Sequence, residues 1–328
     1  MSDKVFLTWN DHRRSKNLAP VLEADYICLE SRLPYLIRLL ILGTRTVLLL
    51  AVRRPKIVFS QNPSLALAAL CCLLKPFVRY VLVVDRHSNF KLETLQSSEL
   101  KMRLFHMLSR WTTKKADVTI VTNENLKMLV DEWGGKGVVL PDRLPFLETD
   151  KIWEDDVKEP FVAVFIASYD TDEPLDELLN ASQSVTGLFH IYITGDYKRA
   201  GLIPPIDQKN ITFTGFLSDE KYIALLRRVD LVIVLTSEEN LLNCGSYEAV
   251  TLGKPMMLSD SVVIREYFCE GAIYVDNTTE SIVNGLKKFT TEKNDLMSGV
   301  NQLKKRLEQD WQKSFDILQG VIASIMTK

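Results

Sequence analysis

With 328 residues, 46% of them hydrophobic and 25% charged, the chain is too long for one ordinary core and predicts two domains of about 100 to 200 residues each. A formal net charge of -2 excludes a protein that coats nucleic acid, whose signature is a basic excess. Five scattered cysteines with no C-x-x-C pair exclude a disulfide framework and a cysteine zinc site, and fit a reducing, cytoplasmic compartment.

The opening MSDKVFLTWNDHRRS has no long apolar stretch after a basic start, so it reads as a direct entry into a strand and not as a secretory signal. KVFLTW is the first strand, and the loop after it offers His12, Arg13 and Arg14. Two adjacent arginines can grip a phosphate bidentately; they also fit a basic helix start capped by Asn10 or Asp11. The most apolar region lies between Leu33 and Val84, where Arg38, Arg45, Arg53, Arg54, Lys75 and Arg79 break every run short of the ~20 apolar residues a membrane span needs. Basic residues interleaved with Leu and Ile suit a peripheral contact with anionic lipid at the inner face of a membrane, or core helices with solvated arginines on one face.

Helices are predicted near 34–52, 64–74, 98–113 and 124–132, between strands at KIVFSQ, YVLVVD and VTIVT. Gln61 and Asn62 follow KIVFS and line the groove expected outside the strand's carboxyl end. Asp85 ends YVLVVD, and His87 lies on the same side of an extended chain because side chains alternate. A D-x-H pair at the carboxyl end of a strand is the best catalytic candidate among the histidines. Asp85 either orients His87 or itself takes a proton from an acceptor hydroxyl, against the plain alternative of a structural histidine. After GGKGVVLPDRLPF, the acidic and aperiodic LETDKIWEDDVKEP reads as a linker, dividing the chain into residues 1–150 and 151–328.

The alternation restarts with FVAVFIA, LFHIYITG, ITFTGF and DLVIVLT. β-branched runs that alternate with helical stretches predict an α/β protein with parallel sheets, here two doubly wound, Rossmann-like domains facing a cleft. Ligands then lie outside the carboxyl ends of the strands. Asp170 and Asp172 form a D-x-D with the spacing of hard-cation ligands, although a solvated loop before a helix accounts for them equally. Gly195 ends the next strand, and Lys198 or Arg199 after it can contribute charge-assisted hydrogen bonds to a diphosphate, or form an exposed turn. In ENLLNCGSYEAVTLGKP a helix start is predicted at Gly245 or Ser246, where free N–H groups attract phosphate oxygens. Glu248 then falls in the first turn, favoured by the helix dipole and able to accept both hydroxyls of a ribose; a simple helix-start acid is the other reading. Residues 281–325 predict one or two amphipathic helices with Trp311 on an apolar face.

The run GSYEAVTLGKPMMLSD, with ITFTGFLSDEKYIALLRRVDLVIVLT before it and IREYFCEGAIYVDN after it, resembles the donor-binding half of GT-B glycosyltransferases, in particular the family 4-like group. The resemblance covers most of residues 160–325. It implies that Glu248 binds the nucleotide ribose, that Gly245, Ser246 and Tyr247 hold the diphosphate, that the loop of Gly195 and Lys198 contacts the nucleotide, and that Phe216 lines the base pocket. The family has a second Glu eight residues before the first; here Asn240 stands there, with Glu239 beside it, and either one meets the donor sugar. The implied activity is hexosyl transfer from a nucleoside diphosphate sugar to a glycan or lipid-linked acceptor. Helix-start amides and nearby cations would neutralise the diphosphate, without a metal or other cofactor. Surface polysaccharide or glycolipid biosynthesis is the implied setting. A nucleotide-sugar epimerase and a non-catalytic GT-B-like binding subunit are the alternatives.

Overall fold

A computed structural model describes residues 2–61, 64–87, 90–202 and 208–327, without the side chains of Arg13 and Glu93. The chain divides into two compact units, one made of residues 1–143 and 310–328 and the other of residues 144–309. Each holds a six-stranded, fully parallel sheet.

In the first unit the chain runs β1 (Lys4–Thr8), α1 (Arg13–Val21), β2 (Asp25–Cys28), α2 (Tyr35–Arg53), β3 (Ile57–Gln61), α3 (Leu65–Val78), β4 (Val81–Asp85), α4 (Leu100–Lys115), β5 (Val118–Val121), α5 (Glu124–Glu132) and β6 (Gly137–Val139). The strands lie in the order β2-β1-β3-β4-β5-β6, so the winding reverses between β1 and β3. The period-2 alternation of each strand sorts its residues between two cores. Val5, Leu7, Val58, Leu82 and Val84 meet Leu42 and Leu50 of α2 and Leu67 and Cys71 of α3 on one face. Phe6, Phe59, Val83 and Ile120 meet Leu18 of α1 and Leu22 just after it on the other, together with Trp311, Phe315 and Leu318 of the last helix. Asp85 shares the parity of Val83, which turns it to the face of α1.

Among the described residues α2 is the one helix long and apolar enough, by length and composition, to cross a membrane. It is also part of the sheet's cover: Leu42, Thr46 and Leu50 are buried, and the Trp9 indole Nε1 donates to Thr46 Oγ1 at 3.0 Å.

The second unit runs β7 (Phe161–Phe165), α6 (Leu175–Gln183), β8 (Phe189–Thr194), β9 (Ile211–Gly215), α7 (Asp219–Arg228), β10 (Leu231–Val234), α8 (Cys244–Thr251), β11 (Met256–Ser259), α9 (Val262–Tyr267), β12 (Ala272–Val275) and α10 (Thr279–Met326). Its strand order β12-β11-β10-β7-β8-β9 puts the reversal between β10 and β7. The segment predicted as a linker carries no helix or strand, yet it is fastened down: Asp155 takes an ion pair from Arg228 at 3.1 Å and a hydrogen bond from the Tyr192 hydroxyl at 3.1 Å. The residues predicted as one or two amphipathic helices form the single 48-residue α10. Its residues up to 309 belong to the second unit and those from 310 to the first, where Trp311 stacks on Phe315 with ring centroids 5.0 Å apart.

Candidate active site

Doubly wound sheets present ligands to the carboxyl ends of their strands at the reversal of strand order, and polar residues gather there in both units. In the second unit, α8 begins against that point. Gly245, its second residue, packs so closely on the ends of β7 and β10 that a Cβ would lie 2.7 Å from Ile166 Cδ1 and 3.1 Å from Val234 Cγ2. The lack of a side chain is what lets the helix start come down onto the strand ends. Ser246 and Tyr247 have buried side chains, the Tyr247 ring packing on Tyr267 and Phe268, so an anion at this point meets backbone N–H groups.

Glu248 departs from its expected place. The helix starts at Cys244, one or two residues earlier than predicted, and has no acid in its first turn; Glu248 is its fifth residue, beyond the strongest reach of the helix-end charge. Its carboxylate is 3% exposed and accepts a 2.5 Å hydrogen bond from the Tyr222 hydroxyl of α7. Burial of a carboxylate demands such partners. Nothing local in DEKYIALL marks Tyr222, because the contact joins residues 26 apart. Lys254 of the Gly-Lys-Pro turn is structural: its Nζ donates to the carbonyls of Arg227 and Val229, at 2.7 and 2.8 Å, at the end of α7.

The neighbouring loops are braced by their own acids. Glu173 accepts from the backbone N–H groups of Ser168 and Tyr169 at 2.8–3.0 Å and from the Ser168 hydroxyl at 2.7 Å. The two carboxylates of the D-x-D serve different partners. Asp170 accepts from the Ser168 hydroxyl, while Asp172 accepts from the Thr236 hydroxyl with its side chain and from the Ser237 N–H with its carbonyl. This ties the loop after β7 to the loop after β10. No group of three or more His, Cys, Asp or Glu placed to hold a metal ion occurs among the described residues. Behind Thr236, Asn277 donates to its carbonyl at 2.9 Å and Ser259 accepts from its N–H at 2.8 Å.

Gly195 sits at φ +93°, and a Cβ there would be 2.3 Å from the Ala167 carbonyl oxygen, so both conformation and space require glycine. Lys198 in the next turn is exposed, as is Glu239; Asn240 is half-buried. Phe216, just past β9, is 81% exposed, a flat apolar ring in water at a strand's carboxyl end.

In the first unit the loops after β1, β4 and β6 converge. Arg14 is buried and donates through Nε to both Asp85 oxygens at 3.1 Å, and through Nη2 to Asp85 Oδ1 at 3.0 Å and to the Leu140 carbonyl at 2.9 Å. Its Nη1 pairs with Asp142. Burial opposes the Arg14 charge, but the two carboxylates outweigh it and raise its proton affinity. Arg14 as a grip on the donor phosphate is therefore corrected: the guanidinium is spent on holding three strand ends together. The side chain of Arg13 lies outside the described residues, and so does Asn62. The helix cap is His12, not Asn10 or Asp11.

Asp85, fully buried, is penalised by desolvation, yet the adjacent Arg14 guanidinium holds its carboxyl below the ordinary aspartate range. His87 Nδ1 stands 3.9 Å from Asp85 Oδ2, beyond hydrogen-bond reach, so Asp85 does not orient His87 through a direct bond. The partner of His87 is His12, at 4.7 Å between ring centroids. Burial pushes His87 down to about 4 and lowers His12 as well. Both are neutral imidazoles at pH 7, and the buried Nδ1 of each lacks a hydrogen-bond partner among the described residues. A neutral imidazole with an unsatisfied nitrogen can accept a proton. Asp142 was not apparent in the sequence, and His12 was a weak candidate there; their association with Asp85 spans strands β1, β4 and β6.

At the reversal of the first sheet lies a cavity of about 290 Å³. Trp9 and Asn10 after β1, Tyr35 and Arg38 of α2, Leu65 of α3 and Phe105 of α4 line it.

No family model and no curated protein matches the sequence. Solved structures do. Sucrose-phosphate synthase from Thermosynechococcus elongatus superposes with a TM-score of 0.70 over 96% of this chain and 86% of that one, at 14% identity. Anabaena HepE in complex with UDP-glucose gives 0.68 over 97% and 99%, at 13% identity. A UDP-N-acetylglucosamine 2-epimerase from Listeria monocytogenes gives 0.62 over 96% and 97%, at 12% identity. The chain has the GT-B fold. Within that fold the two Rossmann-like units of this chain account for the full run of βαβ patterns in its sequence.

Proposed function

We propose that this GT-B protein is a glycosyltransferase that moves a hexosyl group from a nucleoside diphosphate sugar to a hydroxyl of a glycan or lipid-linked acceptor. The observation that carries the reading is the start of α8 at the reversal of the second sheet. Gly245 brings backbone N–H groups to the strand ends, and one turn on, a buried carboxylate, Glu248, is held in place by Tyr222. That pairing suits a diphosphate followed by a ribose diol. Phe216 offers a ring for the base, Lys198 an exposed cation for the diphosphate, and Asn240 or Glu239 a contact to the sugar. The solved HepE complexes with UDP and UDP-glucose support a uridine nucleotide as the first donor to try.

In the first unit, the His12 and His87 pair supplies the proton acceptor, with Asp85 and Arg14 as its scaffold. The acceptor hydroxyl gives up its proton as the bond to the sugar forms and the nucleoside diphosphate leaves. The cavity beside Trp9 and Arg38 is the place for the acceptor. The setting is surface polysaccharide or glycolipid assembly on the cytoplasmic side of a membrane.

Calorimetric titration with UDP, UDP-glucose and other nucleoside diphosphates tests this directly. Binding to one of them, with release of the diphosphate in the presence of a glycan or lipid-linked acceptor, is the expected result. Absence of binding to every nucleotide would sink the reading. The likeness to an epimerase favours one second reading: conversion of a UDP-sugar to its epimer with no acceptor present would replace the transferase by an epimerase.

A further inference from the structure

The helices α2, α3 and α4 lie side by side on one face of the first sheet, burying Leu42, Leu67, Cys71 and their neighbours in a single core. Residues two positions from an inward one point about 200° away from it on a helix. Leu40 is so related to Leu42, Leu48 to Thr46, Leu73 to Cys71 and Leu104 to His106, all four inward partners being buried. The outward rows should therefore be polar; instead they are apolar. Leu36, Leu40, Leu48, Phe77, Leu100 and Leu104 are each more than half exposed, an exposed apolar surface spread over three adjacent helices. Such surfaces mark an interaction site.

The charges on the same layer decide what covers it. None of the three helices contains an Asp or a Glu, in a chain where acids outnumber bases by 42 to 40. Arg45, Arg79, Lys101 and Arg103 stand exposed on or beside these helices. An apolar face whose helices carry cations and no acid, with Glu99 exposed at the start of α4 as an acid at its edge, complements a bilayer carrying anionic headgroups, in which Leu and Phe enter the acyl boundary while Lys and Arg remain among the phosphates. A second copy of the same face would set these cations against each other.

We infer that the outer face of the α2–α3–α4 layer is a docking surface for an anionic lipid bilayer, with α2 lying along the bilayer surface. Crossing the bilayer would strip α2 of its contacts to the sheet, including the Trp9 to Thr46 hydrogen bond. Tyr35 and Arg38 of this layer also line the cavity at the sheet's reversal, which places a bilayer-bound acceptor headgroup within reach of it. This last clause rests on the proposed transferase reading; the docking itself does not.

Co-sedimentation with vesicles of phosphatidylcholine alone, and of phosphatidylcholine mixed with phosphatidylglycerol, tests the docking with no nucleotide or acceptor present. The full chain should bind the mixed vesicles at least tenfold more strongly than the neutral ones, and less as salt is raised. The triple variant Leu40→Glu, Phe77→Glu, Leu104→Glu should lose binding to both, and Arg45→Glu, Lys101→Glu, Arg103→Glu should lose the preference for phosphatidylglycerol. Circular dichroism confirms that the variants fold, and if the apolar triple does not, Phe77→Glu alone should weaken binding in the same direction. Equal or absent binding of the native chain to the two vesicles overturns the inference, as do folded variants that bind like it. A native dimer that the apolar triple dissociates, with no vesicle binding, overturns it in favour of a second copy. Because nucleotide titration is a separate measurement, failure of docking and failure of the transferase reading are told apart.

Discussion

At the strand ends of the first sheet the candidate groups are side chains brought together from beyond β1, β4 and β6, clasped by one buried arginine. At those of the second sheet they are backbone groups and one short helix start. The first arrangement concentrates charge in the interior and spends stability on holding it; the second keeps its one buried acid on a neighbouring tyrosine and leaves cations and an aromatic ring in water. A reaction that must create a nucleophile in one place and receive a diphosphate in another gains from both designs. Proton transfer needs a base held within reach of the hydroxyl it deprotonates, and anion binding needs donors that do not have to be desolvated with a full charge.

The sharpest test of this contrast is Arg14→Met, which leaves Asp85 buried without its cation. Removing one member of a buried pair typically costs about 3–5 kcal/mol, and a urea unfolding curve should show a loss of that size. The double variant Arg14→Met, Asp85→Leu should recover part of it, since an apolar pair of similar volume is often neutral while Asp142 and the Leu140 carbonyl still lack their donor. A single-variant loss below about 1 kcal/mol, the range of exposed pairs, would mean that the clasp does not hold the first site.

The next effect is a dependence on pH. His87 is pushed down to about 4 by burial, so between that value and the ordinary 6.5 the unfolded chain binds more protons than the folded one. Stability is complete above about 6.5 and falls as pH drops toward 4, by on the order of 3 kcal/mol for this one group. Asp85, whose folded value is depressed below the ordinary aspartate range by Arg14 after desolvation is overcome, contributes stability that is lost only at still lower pH. His87→Gln should flatten the slope between pH 4 and 6.5 while abolishing most turnover. An unchanged slope would show that His87 is not held neutral by the fold.

These two tests bear on the part of the molecule that the sequence revealed least. The strands KVFLTW, KIVFSQ, YVLVVD, VTIVT and the four of the second half were visible because buried parallel strands are continuous apolar runs. The short β2 (DYIC), β6 (GVV), β11 (MMLS) and β12 (AIYV) were not, since three or four residues without a longer run of β-branched side chains carry too little pattern to separate from a loop or helix end. Glu248 drew attention because its setting is local, a Gly-containing turn running into a helix, but its expected place in the first turn was not met, since α8 already begins at Cys244. Arg14, Asp85 and Asp142 are joined across 71 and 128 residues, and local patterning holds no record of such pairings. That is why Arg14, adjacent to Arg13 in a basic loop, resembled a surface phosphate grip and proved to be an interior clasp.

In the second unit the effects should be smaller and should fall on binding more than on stability. Gly195→Ala puts an L-residue at φ +93° with its Cβ 2.3 Å from a carbonyl oxygen. Strain of this kind costs about 1–3 kcal/mol, read as a lowered melting temperature, and nucleotide affinity should fall with it because the loop after β8 shifts. A variant as stable as the native chain would show that the loop yields freely and does not position a ligand. Glu248→Ala should weaken nucleotide binding by about tenfold or more, the worth of a hydrogen bond to a charged group. Unchanged affinity in titration removes Glu248 from the site.

Tyr222→Phe has the smallest expected effect and distinguishes best between the two designs. The hydroxyl is one partner of the Glu248 carboxylate at 2.5 Å, and its loss removes a charge-assisted hydrogen bond of about 1.5–3 kcal/mol, part of which water can restore at the partly buried tyrosine. If Tyr222 serves only the fold, the variant loses stability and the nucleotide still binds as before once folded. If it fixes the carboxylate for a ribose, affinity for a nucleoside diphosphate falls severalfold while affinity for inorganic pyrophosphate, which lacks the diol, stays constant. The ratio of these two affinities in Tyr222→Phe and in native protein therefore reads positioning apart from stability. An unchanged ratio would leave the second site to backbone donors alone, and the contrast with the first would become one of side chains against main chain throughout.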